Sequence, residues 1–298
     1  MLKTVKVKAI ITTLAVILCV AAFILCAVFA DRGLFEFRKN LKNSSDADFV
    51  KVIDVGQGDS ILIHSNGYSV LIDTGPNESK LELSKALYQE GIEIIDILIL
   101  THLHIDHTGG VEQIFRDFKV ENLILPELST FSEGIYSAEM AIDNVTRSGG
   151  NIYKGTEGMN FTVGDFFFEI IGAYYDIFEE NNRSLIIKAE TSGKSFLFMG
   201  DAETKTEKRL IEDKKNLKCD VLKAGHHGSN SSTTGDFLKL AQPQYAVISV
   251  GKDNIYNHPH LSTLKQFEIA GIKSYRTDYK GDITFLIENG EIKVKTEK

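Results

Sequence analysis

The chain has 298 residues, 43% of them apolar, with 33 Lys and Arg against 41 Asp and Glu for a formal charge of −8. This profile excludes a disordered tail, a collagen-like fibre and a small disulfide-stapled scaffold. Residues 1–30 hold Lys3, Lys6 and Lys8 and no acid, so the other 268 carry 30 basic against 41 acidic residues, a charge of −11. A body this acidic is a poor non-specific polyanion binder, because phosphate neutralisation needs an excess of Lys and Arg on the contact face.

From Ala9 to Ala30 there is no charged residue. As a helix these 22 residues reach roughly 33 Å, enough to cross a hydrocarbon core of about 30 Å. The three lysines before it predict a cytoplasmic N-terminus and a body outside the membrane. A cleavable signal ending at Val28-Phe29-Ala30 is the alternative, which would make the body secreted. The apolar run exceeds the usual 7 to about 15 residues of a signal, which favours a retained anchor. Residues 31–47 are polar and mixed in charge and read as a juxtamembrane linker, leaving 48–298 as one domain. Cys19 and Cys26 lie in the apolar run, so Cys219 is alone in the body; it reads as a strand residue that no intrachain disulfide can use.

Short strand-like runs follow: Phe49 to Val55, Ser60 to His64 and Tyr68 to Ile72, the last two joined by the turn signal Asn66-Gly67. A one-sided apolar stripe predicts a helix from Glu78 to Gln89, closed by Gly91. "IIDILIL", Ile94 to Leu100, reads as a strand buried on both faces. "NLILP" is a further strand, Ser137 to Arg147 a helix stopped by Gly149-Gly150, and "FTVGDFFFEIIGA" a hairpin turning at Gly164-Asp165. "SLIIKAE" and "KSFLFMGD" are strands. Then come helix Glu203 to Glu212, strand Asp220 to Ala224, helix Thr234 to Leu240, strand Tyr245 to Val250, helix Leu261 to Ala270, and strands in "DITFLIE" and "EIKVK". Strand blocks with interspersed helices predict two sheets packed face to face and covered outside by helices.

The chemistry concentrates at strand ends. The Ile94 to Leu100 strand runs into "THLHIDHTGG", which places His102, His104, Asp106 and His107 within six residues. Histidines two apart on an extended backbone project to one side, and residues past the turn address a neighbouring point, an arrangement suited to a pair of divalent metals. Seven of the eight histidines fall in three tight groups, His102/His104/His107, His226/His227 and His258/His260; His64 stands alone in a strand and reads as structural. "FLFMG" ends in Asp201 and "DVLKAG" in His226-His227-Gly228-Ser229, so several strand ends deliver metal-type ligands to one rim.

"THLHIDHTGG" resembles the HxHxDH signature of the metallo-β-lactamase superfamily. With "IDVGQGDSILI", "VLIDTG", "NNRSLIIK", "FLFMGD", "LKAGHHGS", "YNHPH" and "YRTDYKGDI" in the same order, residues 49–290 more narrowly resemble the extracellular domain of the ComEC DNA-uptake proteins. The resemblance implies an α/β four-layer αββα sandwich, preceded here by one transmembrane helix. It implies that His102 and His104 bind a first metal, that Asp106 and His107 bind a second, and that Asp201 bridges them. His226 is the favoured remaining ligand, with His227 as alternate, and Asp73 orients a ligand. Asp54, Gln57 and Asp59 belong to the same signature without a clear role.

Many superfamily members supply a third histidine to the first metal between the HxHxDH loop and the bridging Asp. This chain has none between His107 and Asp201; Asn182 of "NNRS" offers at best an amide oxygen. A site poorer in imidazole tolerates oxygen-preferring ions, so the expected cofactors are two divalent metals, Zn²⁺ first and Mn²⁺ as alternative.

The expected function is a membrane-anchored, exported hydrolase that cleaves phosphoester bonds with a metal-bridging hydroxide. Its partner would be an anionic phosphoester: a small molecule, a wall polymer or a lipid head group. Asp106 counts as both ligand and catalytic residue. His258 would protonate the leaving group or bind a phosphate oxygen, with His260 as a weaker candidate. Lys223, Ser229 and Asp278 are candidate substrate contacts. The competing readings are a nuclease acting on DNA outside the membrane and a non-enzymatic binding module.

Overall fold

The short apolar runs pair into two eight-stranded sheets in the computed structural model, which describes residues 48–298 and the strand Leu34–Glu36. The apolar run 9–30 lies outside the described residues, and among the described residues no helix is long and apolar enough to cross a membrane. The first sheet has the strand order Glu291–Thr296, Ile283–Glu288, Asp48–Val52, Ile61–Ser65, Tyr68–Ile72, Ile94–Ile99, Lys119–Leu125, Asn151–Lys154. The second runs Leu34–Glu36, Asn160–Val163, Phe166–Gly172, Ile186–Thr191, Lys194–Phe198, Val221–Lys223, Tyr245–Ile248, Lys273–Arg276.

Alternation along each strand builds the layers. Ile97 and Ile99 face inward with Val50, Ile63, Phe168, Phe196 and Phe285 in the core between the sheets. Leu98 faces outward with Leu62, Leu71 and Leu123. There they meet the helices Lys80–Gln89, Val111–Asp117 and Ile135–Ser148 through Leu83, Leu87, Ile114, Ala141 and Val145. Both faces of Ile94–Ile99 are therefore buried, which explains its unbroken apolar run. On the other side, Leu197, Leu222 and Ala246 meet the helices Thr204–Glu212, Gly235–Ala241 and Leu261–Ile269 through Leu210, Phe237 and Phe267. The result is the αββα order.

The hairpin at Asn66-Gly67 turns with positive φ at both residues, 52° and 80°, and Gly149 ends its helix in the left-handed conformation at φ 75°. Several short elements escaped the sequence pattern: helix Val111–Asp117 is seven residues long, and strand Lys273–Arg276 is a polar edge with no alternation to read. Leu34–Glu36, inside the segment read as linker, runs parallel beside Asn160–Val163. His64 is a buried strand residue that stacks on Phe49 at 5.4 Å and bonds Ser69 Oγ at 3.2 Å. Cys219 is buried, and burial pushes its thiol up to about 12, so it is no nucleophile.

The strands Lys194–Phe198, Val221–Lys223 and Tyr245–Ile248 are mutually parallel. Their C-terminal ends therefore share one edge of the sandwich, and the loops leaving that edge hold the histidines.

Candidate metal centre

Asp73, at the end of strand Tyr68–Ile72, is fully buried and organises the loop beside it. Its Oδ1 accepts from the Thr101 amide at 2.7 Å; its Oδ2 accepts from Thr101 Oγ1 and from His107 Nδ1, each at 2.7 Å. The contact fixes the His107 tautomer and aims Nε2 away from Asp73. His104 ends the extended stretch and precedes the one-turn helix Ile105–Thr108, which carries Asp106 and His107 to the far side of the loop. The helix fits there because Gly58 approaches it closely: a Cβ on Gly58 would lie 2.2 Å from the Asp106 carbonyl.

His102 Nε2 and His104 Nδ1 face each other at 3.2 Å. Two imidazole nitrogens bound tetrahedrally to one ion at about 2.0–2.1 Å stand about 3.3 Å apart, so this pair has ligand spacing. The second group is fuller. His107 Nε2 lies 3.3 Å from Asp201 Oδ1, and His227 Nε2 lies 3.2 Å from Asp106 Oδ2 and 3.3 Å from Asp201 Oδ2. Ligand atoms of Asp106, His107, Asp201 and His227 all lie within 4.8 Å of one another. His107 Nε2, Asp201 Oδ1 and His227 Nε2 are buried and have no hydrogen-bond partner. Orphaned buried polar atoms of this kind are costly unless something binds them, and three converging on one point fit a cation.

The structure reverses the expected order of the adjacent histidines. His226 and His227 both have positive φ, 45° and 50°, which swings their rings to different sides. His227 Nδ1 donates to the Ser249 carbonyl at 2.9 Å, leaving Nε2 in the cluster. His226 stands back, with Nε2 at 4.0 Å from Asp201 Oδ2 and Nδ1 bonded to Glu203 Oε1 at 3.0 Å.

Other candidates stand away from the cluster. Asn182 is no oxygen donor: its Oδ1 accepts from the Glu203 and Thr206 amides at 3.1 and 3.2 Å, capping helix Thr204–Glu212. The neighbouring Asn181, which the sequence did not single out, lines the cleft instead, with a buried Oδ1 lacking a partner. Lys223 is buried, and its Nζ pairs with Asp59 Oδ2 at 2.7 Å, linking the two sheets beneath His227 rather than meeting substrate. Ser229 Oγ bonds Ser231 Oγ at 3.0 Å, and His260 Nδ1 accepts from the Asn230 amide at 3.0 Å. Asp278 makes a two-point pair with Arg276 at 3.0 and 2.6 Å. None of these four lines the cleft.

That cleft has a volume of about 420 Å³ and exposes Gln57, His104, Asp106, Asn181, His226, Tyr256 and His258. Burial opposes a proton on His107, but Asp201, Asp73 and Asp106 outweigh it and hold its pKa well above the usual value; burial and then Asp201 act alike on His227. Burial also disfavours charge on Asp201, yet His227 and His107 keep it well below the carboxylate range. His258 moves the other way, down to about 4, through burial and the neighbouring His226 and His227. It is neutral at pH 7.

Residues 53–252 match the family model described as the metallo-beta-lactamase superfamily. The chain is 34% identical over 263 residues to ComE operon protein 3 of Bacillus subtilis, covering 80% of this chain and 33% of that protein. It is 29% identical over 271 residues to competence protein ComA of Neisseria gonorrhoeae, covering 90% and 36%. The chain thus spans about a third of the length of these curated relatives. Among solved structures it is similar to the metallo-beta-lactamase fold protein YhfI from Bacillus subtilis, with TM-score 0.52 and 12% identity over 77% of this chain and 95% of that one.

Proposed function

The chain belongs to the metallo-β-lactamase superfamily, and from that premise we propose that it is an exported, membrane-anchored, dinuclear metal-dependent phosphoesterase. One observation carries the reading: unpartnered ligand atoms of His107, Asp201 and His227 converge with Asp106 beside a cleft lined by Gln57, Asn181, Tyr256 and His258, with Glu133 as a further acid on its wall. Asp106, His107, Asp201 and His227 would hold one divalent ion, Zn²⁺ or Mn²⁺, and His102 and His104 would hold a second. Bound there, the ions supply Lewis acidity and a water activated near neutral pH.

The chain's own residues do the rest. Asp73 and the Ser249 carbonyl hold the rings of His107 and His227 so that Nε2 points into the site. Glu203 does the same for His226, which keeps Nε2 beside Asn181 Nδ2 at 3.5 Å on the cleft wall. His258, neutral at pH 7, donates a hydrogen bond to a phosphoryl oxygen; with its pKa down at about 4 it carries no acidic proton for the departing alcohol, which takes its proton from solvent. Neutral hydrogen-bond donors beside a cationic centre suit a phosphodiester, whose single negative charge the metals offset.

The purified full chain with Zn²⁺ or Mn²⁺ is expected to release nitrophenol from bis(4-nitrophenyl) phosphate, and His104→Ala with Asp106→Ala to abolish release. Undiminished activity in that variant removes the assigned site. One curated relative is named a competence protein, which is in keeping with a second reading, the nuclease acting on DNA that the sequence resemblance raised. The charge of −11 over residues 31–298 weighs against it. Ready degradation of single-stranded DNA at catalytic enzyme levels would reverse that preference.

A further inference from the structure

The loops that enter the cleft carry exposed apolar side chains that the chemistry above does not use. Three loops that lead into cleft residues each carry a bare apolar side chain. Phe131, 95% exposed, lies two residues before Glu133; Phe178, 93% exposed, lies three before Asn181; Ile255, 86% exposed, adjoins Tyr256. Ile105, exposed within the metal loop, is a fourth. The first two loops are tied together, because Glu180 accepts from Ser132 Oγ at 2.8 Å and from the Leu103 amide at 3.2 Å. The third is braced by Asn254, which donates to the Gly251 and His258 carbonyls at 2.9 and 2.7 Å. Single exposed hydrophobics are ordinary; several on braced loops that lead into one cleft are the makings of an interaction surface.

The strand registers say which way this surface faces. Leu34 pairs with Asn160, Asn160 with Glu169, Ile170 with Ile187, and Ile187 with Phe198. The N-terminal end of strand Leu34–Glu36 therefore lies on the same edge of the sheet as Phe198, three residues before Asp201. Four strand spacings separate the two, about 19 Å. The uncharged run ends at Ala30, and the four residues' advance to Leu34 reaches at most about 14 Å. On the sequence reading that residues 9–30 cross the membrane, this short reach would keep the cleft edge toward the bilayer.

We propose that these side chains form a lipid-contacting rim that seats the cleft at the head-group level of an uncharged bilayer. Its loops carry Glu127, Glu133, Asp176, Glu179, Glu180 and Asp253 against Arg183 and Lys252, so zwitterionic head groups fit better than anionic ones. The substrate class then follows, resting on the phosphoester reading above: a phosphodiester in a lipid head group.

The chain contains no Trp, so a single introduced Trp reports on its own position. The full chain is reconstituted in phosphatidylcholine vesicles with Phe131→Trp, Phe178→Trp or Ile255→Trp. The control is Phe167→Trp: Phe167 is also exposed but pairs with Glu190, at the edge away from the cleft. The rim reporters are expected to shift to the blue and to be quenched by brominated phosphatidylcholine, and the control to be unaffected. Phe131→Ser with Phe178→Ser is expected to lower hydrolysis of vesicle phosphodiester lipid about tenfold or more, with the rate on soluble bis(4-nitrophenyl) phosphate unchanged. Rim reporters quenched no more than the control overturn the proposal. So does quenching by a single-stranded oligonucleotide in place of the lipid, which would make the rim a base-stacking platform. Rim quenching without hydrolysis of either substrate supports the surface and removes the phosphoester reading.

Discussion

Asp73 touches no cleft, yet its two oxygens fix both the backbone at Thr101 and the ring of His107. Asp73→Asn leaves one side of that carboxylate as a donor facing donors. It is expected to weaken metal affinity about 10- to 100-fold in a chelator competition, with the fold retained. Proton linkage gives a second expectation. Against the cost of burial, Asp201 and the neighbouring carboxylates raise the pKa values of His107 and His227 in the metal-free chain, so proton and cation compete for these two rings. Apparent metal affinity should rise from pH 6 to pH 8 with proton release; affinity independent of pH contradicts this. The same shifts stabilise the metal-free fold fully below the unfolded value of about 6.5, and that stabilisation is lost as pH rises through the folded values. At this scale the sequence told ligand types but not directions. Two adjacent histidines with positive φ carry no periodicity to decide between them, and Asn181 and Asn182 differ only in which one the helix Thr204–Glu212 recruits as its cap.

The elements at the site are short and held by close approach rather than by propensity. Helix Ile105–Thr108 is a single turn, and Gly58 packs against its backbone. Gly58→Ala is expected to displace Asp106 and lower metal content while leaving the far-ultraviolet spectrum unchanged. Asn182→Ala strands the amides of Glu203 and Thr206 and should cost about 1–3 kcal/mol in urea denaturation. Long apolar strands and the larger helices were legible because burial on one or two faces writes its period into the residues. Lys223 was not: it sits in a three-residue strand buried along its whole length, and its partner Asp59 comes from the opposite sheet, a contact that no local pattern encodes.

For the whole molecule, the sandwich brings loops from both sheets to one edge, so cations held by Asp106, His107, Asp201 and His227 would clamp the layers together. Ions that bind only the folded chain stabilise it by about 2.7 kcal/mol at a hundred times Kd, and a chelator should lower Tm accordingly. The charge of −11 takes a different meaning in this setting, since Asp106 and Asp201 lie where cations would offset them. His227, and not His226, is placed to complete a metal site with Asp106, His107 and Asp201. Metal content of the purified, folded chain from metal-supplemented buffer tests it most directly. About two ions per chain are expected in the natural protein and in His226→Ala, and one or fewer in His227→Ala. Fewer than one ion in the natural protein, or full occupancy in His227→Ala with loss in His226→Ala, would contradict it.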